Sequence, residues 1–382
     1  MNTEQRTRNE TGESRSAFRD LFPVTRNLLY FNNAALGPLS TRACEAMERQ
    51  VRDQRDFGAL HWREWYAEHA RLRESAARLI GATPGEIAIL KNTSEGLSFV
   101  AGGFAWKDGD NVVTTAIEFP SNFVPWKRLE RRGVETRVAA LPTLEHIEPL
   151  VDARTRVITV SSVAFHNGFS AELEALGELC ERHGILLCVD AIQSVGVIPI
   201  DVRHLNVGAL AADGHKWMCG PEGGAIFYVA EEWRDRIEPL EDGWTNIERG
   251  GKFIDAGMKW LTDARRYEAG SANTTGLHGQ RAAIDLLLEI GIEQVRDAAL
   301  DVANVLADGL ESIGWRIASP RPLRSPIVGA TPPTVETSLL SWHRKLEERG
   351  IVCAPREGLL RFSPHFYNTR EEAARVVDAL RG

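Results

Sequence analysis

Ile185-Leu186-Leu187-Cys188-Val189-Asp190-Ala191-Ile192-Gln193 is the stretch that decides the fold. An uninterrupted apolar run of this length, closed by a carboxylate, reads as a strand buried on both faces of a parallel sheet. Outward from it the pattern alternates. Segment 171–183, with leucines at 173, 176 and 179, predicts a helix before the strand, and 209–212 predicts the next strand. Further strands are expected at 87–90, 111–115 and 157–160, with helices at 94–104 and 121–132. Strand–helix alternation at this spacing implies a largely parallel sheet covered on both sides. Segment 225–229 follows Gly220-Pro221-Glu222-Gly223-Gly224 too closely for a crossover helix, so an antiparallel strand is expected there. Two helices, 276–288 and 293–313, come next. Beyond Trp315 a shorter α+β segment begins, broken by Pro320, Pro322, Pro326, Pro332 and Pro333, and it ends in a helix at 370–380.

At 382 residues the chain exceeds one ordinary domain and can bury a large core. Composition is that of a soluble globular protein, 43% hydrophobic and 26% charged. The formal charge of −8 comes without a basic block, which argues against nucleic acid as a partner. No apolar run approaches the length of a membrane span. The first residues, Met1 to Ser16, are polar and lack the apolar core of a secretory signal, so a disordered leader is expected. Five cysteines, at 44, 180, 188, 219 and 353, include no C-x-x-C pair. They fit a reducing cytoplasm and give no disulfide or metal framework. The expected divisions are a leader at 1–17, an N-terminal segment at 18–35, a large domain at 36–290 and a small C-terminal domain at 291–382.

Asp190 is followed 26 residues later by the lysine of Asp213-Gly214-His215-Lys216. A strand-end carboxylate and a lone lysine on the loop after the next strand are what a pyridoxal phosphate site needs. The amine forms a Schiff base, and the carboxylate keeps the pyridine nitrogen protonated so that the ring accepts electrons. Lysines are normally solvated, but Lys216 follows an apolar strand and stands between His215 and Trp217. An aspartate ending a strand also suits magnesium or a ribose hydroxyl. Neither alternative has its motif, since no G-x-G-x-x-G follows a strand and no phosphate-binding G-x-x-x-x-G-K-[ST] occurs. Thr93-Ser94-Glu95-Gly96 follows a strand and opens a helix. There Ser94 can cap the helix or, with Thr93 and the first amides, hold a phosphate.

Six motifs then occur in one order: Tyr30-Phe31-Asn32-Asn33-Ala34-Ala35, Asn92-Thr93-Ser94-Glu95-Gly96, Asp190-Ala191-Ile192-Gln193, Gly214-His215-Lys216, Arg266-Tyr267-Glu268-Ala269-Gly270-Ser271 and Tyr367-Asn368-Thr369-Arg370-Glu371-Glu372. Together they resemble the class V aminotransferase family of fold-type I pyridoxal phosphate enzymes. That family includes cysteine desulfurases, cystine and selenocysteine lyases, kynureninase and isopenicillin N epimerase-like proteins. The resemblance implies an α/β fold with a mostly parallel seven-stranded sheet in a large domain and a smaller α+β C-terminal domain. It also implies a homodimer with shared active sites.

Residue by residue, the resemblance places Phe119 on the face of the pyridine ring, Gln193 at its phenolic oxygen and His215 beside the phosphate. Where desulfurases have histidine this chain has Pro120, so the stacking platform has no proton to give. Asp213 departs from the serine or threonine common in relatives. An ionised carboxylate repels a phosphate dianion, so Asp213 is expected to point away or bind through water. Ser271 resembles the hydroxyl residue that reaches a partner subunit's phosphate, and Trp244 an aromatic lining the neighbouring pocket, though it also suits an ordinary buried indole. Arg361 matches the arginine that clamps the substrate α-carboxylate, a task suited to the guanidinium fork. Asn33 is expected to assist it. Ser162 replaces a family asparagine and leaves substrate contacts there open.

Desulfurases carry a mobile cysteine on a loop before the carboxylate arginine. Here the stretch is short, and Cys353 falls within an expected strand as a small apolar residue. The resulting expectation is a pyridoxal phosphate enzyme acting on an amino acid, with Lys216 as base, most directly a lyase cleaving C–S bonds of a cysteine derivative. Transamination, kynureninase-like hydrolysis and epimerisation are the alternatives. A non-catalytic cofactor-binding protein has little use for Lys216, Asp190 and Arg361 together.

Overall fold

The computed structural model describes residues 18–248, 259–333 and 338–381. The expected leader at 1–17 therefore lies outside the described residues.

Seven strands form the main sheet: β2 (Ile87–Leu90), β3 (Asn111–Thr115), β4 (Glu135–Ala139), β5 (Thr155–Ser161), β6 (Leu186–Asp190), β7 (Ala209–Asp213) and β8 (Ala225–Val229). Their spatial order is β2-β8-β7-β6-β5-β3-β4. Neighbours from β4 across to β7 run parallel, whereas β8 is antiparallel to both β7 and β2. The short turn at 220–224 forces that reversal, as its length implies. Strand β4 was not expected. Its residues are partly exposed and mixed in polarity, because it closes the sheet's edge.

Alternation along each strand divides the core in two. Ile158, Val160, Leu187, Val189 and Leu210 belong to one apolar cluster, and Val157, Leu186, Cys188, Ala209 and Ala211 to the other. Successive side chains point to opposite faces, and both faces are covered. That is why 185–189 reads as unbroken apolar sequence.

The expected helix at 121–132 is broken. A 3-10 turn (Pro120–Asn122), a short helix (Val124–Arg128) and a second 3-10 turn (Leu129–Arg132) stand in its place. Pro125, inside that stretch, has no N–H to donate to the Ser121 carbonyl, so a continuous ladder cannot form there. Two long helices, Thr41–Phe57 and Trp62–Ile80, went unread in the sequence and pack against Thr274–Ile290.

A third apolar cluster surrounds a four-stranded sheet, β12-β13-β10-β9, of β9 (Arg316–Ile317), β10 (Val328–Thr331), β12 (Ala354–Arg356) and β13 (Leu359–Phe362). Helices Ile292–Ser312 and Arg370–Leu380 cover it. Strand β1 (Leu29–Tyr30) pairs in parallel with β11 (Ile351–Val352), and Asn32 bridges to Ser363. The N-terminal segment is thereby stitched to the C-terminal one directly before it reaches Ala34 and Ala35.

Gly96 fixes how closely the helix Thr93–Gly103 approaches the sheet. A Cβ there would lie 2.9 Å from both the Ala211 Cβ and the Phe227 ring. Neither neighbour is the free end of a flexible chain. Gly96→Ala is expected to cost about 1–3 kcal/mol through overpacking, lowering the thermal midpoint of the cofactor-free protein by a few degrees. An unchanged midpoint in calorimetry would contradict this packing.

Candidate active site

The cavity that matters opens at the carboxyl ends of β2, β6 and β7, where parallel α/β sheets bind ligands. It encloses about 340 Å³. Asp190, Asp213, His215, Lys216, Thr93, Ser94, Phe119, Gln193 and Arg361 all line it, so nine of the residues singled out in the sequence meet in one place.

Asp190 ends β6 and is 2% exposed. Burial pushes its carboxyl up to about 7, against the hydrogen bond it accepts from the Ile192 amide (3.1 Å). Glu118 adds to the rise and Lys216 opposes it. The Lys216 amine is brought down to about 8, chiefly by burial, with Asp190 opposing and Arg361 adding to the fall. A lysine held there has a neutral fraction near neutrality, the form in which an amine can act as nucleophile or base. Gly37 makes the Lys216 loop possible. Its amide donates to the His215 carbonyl (2.7 Å), and a Cβ on it would meet the Lys216 carbonyl oxygen at 2.1 Å.

The helix Thr93–Gly103 presents its N-terminus to this cavity. Asn92, not Ser94, is the cap: its side-chain oxygen accepts from the Glu95 amide (3.0 Å). The Ser94 hydroxyl instead bonds the Ser121 hydroxyl (2.8 Å), and Thr93 Oγ1 accepts from the Asp213 amide (2.9 Å). Thr93 thus ties the helix to the end of β7. The Asp213 carboxylate turns toward His215, with Oδ2 3.0 Å from Nδ1. Its Oδ1 is buried without a hydrogen-bond partner.

Phe119 is 42% exposed at the mouth. The Lys216 amine sits 5.7 Å from its ring centroid, and Phe165 meets it edge-on at 5.2 Å. Glu118, immediately before it, accepts from the Ser161 amide (3.0 Å), Thr115 (2.7 Å) and Asn122 (2.8 Å) and so pins this loop to β5. Gln193 is held from both sides, donating to the Ala34 carbonyl (3.0 Å) and accepting from the Trp217 indole (2.8 Å).

Arg361 is 1% exposed, yet its guanidinium makes a single hydrogen bond, to the Phe165 carbonyl (2.7 Å). Nε and Nη2 are buried with no partner. Burial works against its charge, and the nearby Arg356 cation adds to that.

Four sequence candidates lie elsewhere. Asn33 is buried but committed, donating to the Ser363 carbonyl (2.9 Å) and accepting from the Tyr367 hydroxyl (2.6 Å). Ser162 bonds Ser194 (2.6 Å) and the Asp190 carbonyl (3.2 Å) on the wall of a different cavity. Ser271 is exposed beside Lys91 and Glu95, and Trp244 is 44% exposed; neither lines the cavity that holds Lys216. The sequence reading also missed Arg356, Phe165 and Ser121 on the cavity wall. Arg356 had a local signal: Glu357-Gly358 after it marks a tight hairpin turn, which fixes its register against Arg361. Phe165 and Ser121 lie on loops whose sequences carry no such marker.

A family model for class V aminotransferases matches residues 29–376. An uncharacterized aminotransferase, YcbU, of Bacillus subtilis (strain 168) is 30% identical over 377 residues, covering 95% of this chain and 96% of its own. A probable cysteine desulfurase of Methanothermobacter thermautotrophicus is 31% identical over 393 residues, covering 95% of this chain and 96% of its own. Among solved structures, the apo cysteine desulfurase from Thermococcus onnurineus NA1 superposes with a TM-score of 0.87 at 27% identity, covering 96% of this chain and 97% of that one. The cystine C-S lyase C-DES, in complex with its product cysteine persulfide, shares the fold with a TM-score of 0.89 at 24% identity, covering 94% and 99%. The chain belongs to the class V aminotransferase family of pyridoxal phosphate-dependent enzymes.

Proposed function

We propose that this enzyme acts at the α-carbon of an amino acid and eliminates the β-substituent, cleaving the C–S bond of a cysteine derivative. The observation that carries the reading is Arg361: a buried guanidinium with two orphaned donors in the cavity that holds Lys216 and Asp190. Leaving such donors unpaired is costly, and a substrate carboxylate satisfies both at once.

The residues present fit the cofactor. Lys216 would hold its carbonyl carbon, and Asp190 would face the ring nitrogen, where a cation relieves the buried carboxylate. Thr93, Ser94 and the first amides of their helix would take the phosphate, with His215 beside it. Phe119 would cover one face of the ring, and the remaining N–H of the Gln193 amide would reach the phenolic oxygen. When bound, pyridoxal phosphate supplies an electron sink for the pair left at the α-carbon.

Lys216 takes the α-proton onto Nζ, the released pair forms the Cα–Cβ double bond, and the Cβ–S bond breaks with its electrons leaving on sulfur. Hydrolysis of the remainder gives pyruvate and ammonia. Phe119 cannot protonate a leaving group, which favours one already stable as an anion; a thiolate qualifies and a hydroxide does not. Transamination draws on the same Lys216 and remains the alternative outcome of the assay. Cys353 is 2% exposed in the C-terminal core, and burial pushes its thiol up to about 12. Both features speak against a persulfide relay through it.

Trp244 and Ser271 are exposed and do not line the cavity that holds their own Lys216, as expected of residues serving a neighbouring subunit's site. With exposed Phe119 and Leu36 they support a homodimer. All five cysteines are free, which suits the cytoplasm. Among the described residues no helix is long and apolar enough to cross a membrane.

Three outcomes test this reading. Over a panel of cysteine derivatives the loaded enzyme is expected to yield pyruvate and ammonia in equal amounts, with Lys216→Ala slower by about 10²–10⁴-fold. Keto acid with pyridoxamine phosphate would instead establish a transaminase. Cys353→Ala is expected to leave turnover within about twofold, since the thiol only packs; a tenfold loss would restore the relay. The third outcome follows from Asp190. Its carboxyl lies near 7 in the fold, above its unfolded value, so its contribution to stability is full at acid pH and is lost as pH rises through 7. Asp190→Asn is therefore expected to raise the melting temperature of the cofactor-free protein at pH 8 by several degrees and to change it little at pH 4. Equal shifts at both values would contradict the burial of an ionisable carboxyl.

A further inference from the structure

Arg356 lines the same cavity as Arg361 and Lys216. It ends β12, and β13 returns antiparallel after only Glu357 and Gly358. Both turn residues have positive φ, 47° and 75°, the geometry that allows a two-residue hairpin. A turn this short leaves no freedom of register. Ala354 pairs with Arg361 and Arg356 with Leu359. Directly opposed residues share a face, as do alternate residues of one strand, so Arg356 and Arg361 are diagonal neighbours on one face. Such positions stand roughly 7–8 Å apart.

Arg361 can satisfy one carboxylate alone, because its two free donors match two oxygens. That leaves Arg356 over. Among the described residues it makes no ion pair, and its hydrogen bond goes from Nη1 to the neighbouring Pro355 carbonyl (2.8 Å). Its charge is felt at both other cations of the cavity, lowering the proton affinity of Arg361 and of Lys216. A rim carrying a spare, unpaired guanidinium beside an α-carboxylate clamp suits a substrate with a second negative charge.

We infer that Arg356 is a specificity-determining residue that reads an anionic group on the far side of the substrate's sulfur. The preferred class is then S-substituted cysteines whose leaving thiol carries a carboxylate or sulfonate. In these molecules the separation between the α-carboxylate and the terminal anion is of the same order as the interval between the two diagonal arginines. The inference rests on the proposal that Arg361 holds the α-carboxylate.

The probes are S-carboxymethyl-L-cysteine and its amide, S-carbamoylmethyl-L-cysteine, which match in shape and differ in charge. Dissociation constants are read from the change in cofactor absorbance as each is titrated into the loaded protein. The wild type is expected to favour the carboxylate by at least about tenfold, the scale of one charge-assisted contact. Arg356→Gln is expected to bring the ratio of the two constants close to one, while Arg356→Lys retains part of the preference. Arg361→Gln should weaken both probes and preserve the direction of the ratio. A wild type without preference would overturn the inference, as would an Arg356→Gln variant that keeps the ratio or weakens both probes equally. Absorbance unmoved by either probe in the wild type would overturn the proposed function as well. An Arg361→Gln variant that bound both probes as tightly as the wild type would overturn the α-carboxylate clamp on which the inference rests.

Discussion

Three ionisable groups held in one cavity, largely out of water and with no ion pair among the described residues, are the constraint from which the rest of this structure follows. Asp190 ends β6, Lys216 lies on the loop after β7, and Arg361 lies within β13. Isolated, each would destabilise the fold, and burial shifts all three toward their neutral forms. On the proposed reading, a single bound cofactor–substrate pair would offer a cation to Asp190, a carbonyl carbon to Lys216 and an anion to Arg361, so the site would be preorganised around groups the protein does not itself supply.

The scaffold explains how such a site persists. A parallel sheet with two apolar faces holds the strand ends rigidly, and glycines bring the layers close at Gly37 and Gly96. The N-terminal segment, paired to β11 and bridged to Ser363, brings Ala34 and Ala35 against Gln193 and the cavity. Stacked rings reinforce that seam: Phe22 lies on Tyr367 at 4.6 Å, and Tyr367 on His365 at 5.5 Å. His365 in turn bonds the Trp217 carbonyl (2.9 Å), one residue past Lys216. Residues from both ends of the sequence therefore fix the lysine loop.

Strands buried on both faces were legible because an apolar run of that kind has few other readings; Asp190 was legible because it closes such a strand, and Lys216 because it follows the next one on a short loop. The edge strand β4 was not, since half-exposed, mixed residues carry no periodic signal. A continuous helix at 121–132 is ruled out by Pro125, whose effect apolar periodicity does not register. Asn33 and Ser162 were expected near substrate on likeness alone. Their hydroxyl and amide groups instead close local networks with Tyr367, Ser363, Ser194 and the Asp190 backbone. Such commitments depend on which distant segments meet, which a linear pattern does not encode. Arg356 was passed over for a different reason, since its place on the cavity is set by hairpin register rather than by residue type.

The most direct test of the central claim is covalent. Purified protein supplied with pyridoxal phosphate, reduced with borohydride and digested, is mapped by peptide mass spectrometry. A pyridoxyl adduct confined to Lys216 is the expected result. An adduct spread over surface lysines, or none at all, would contradict it.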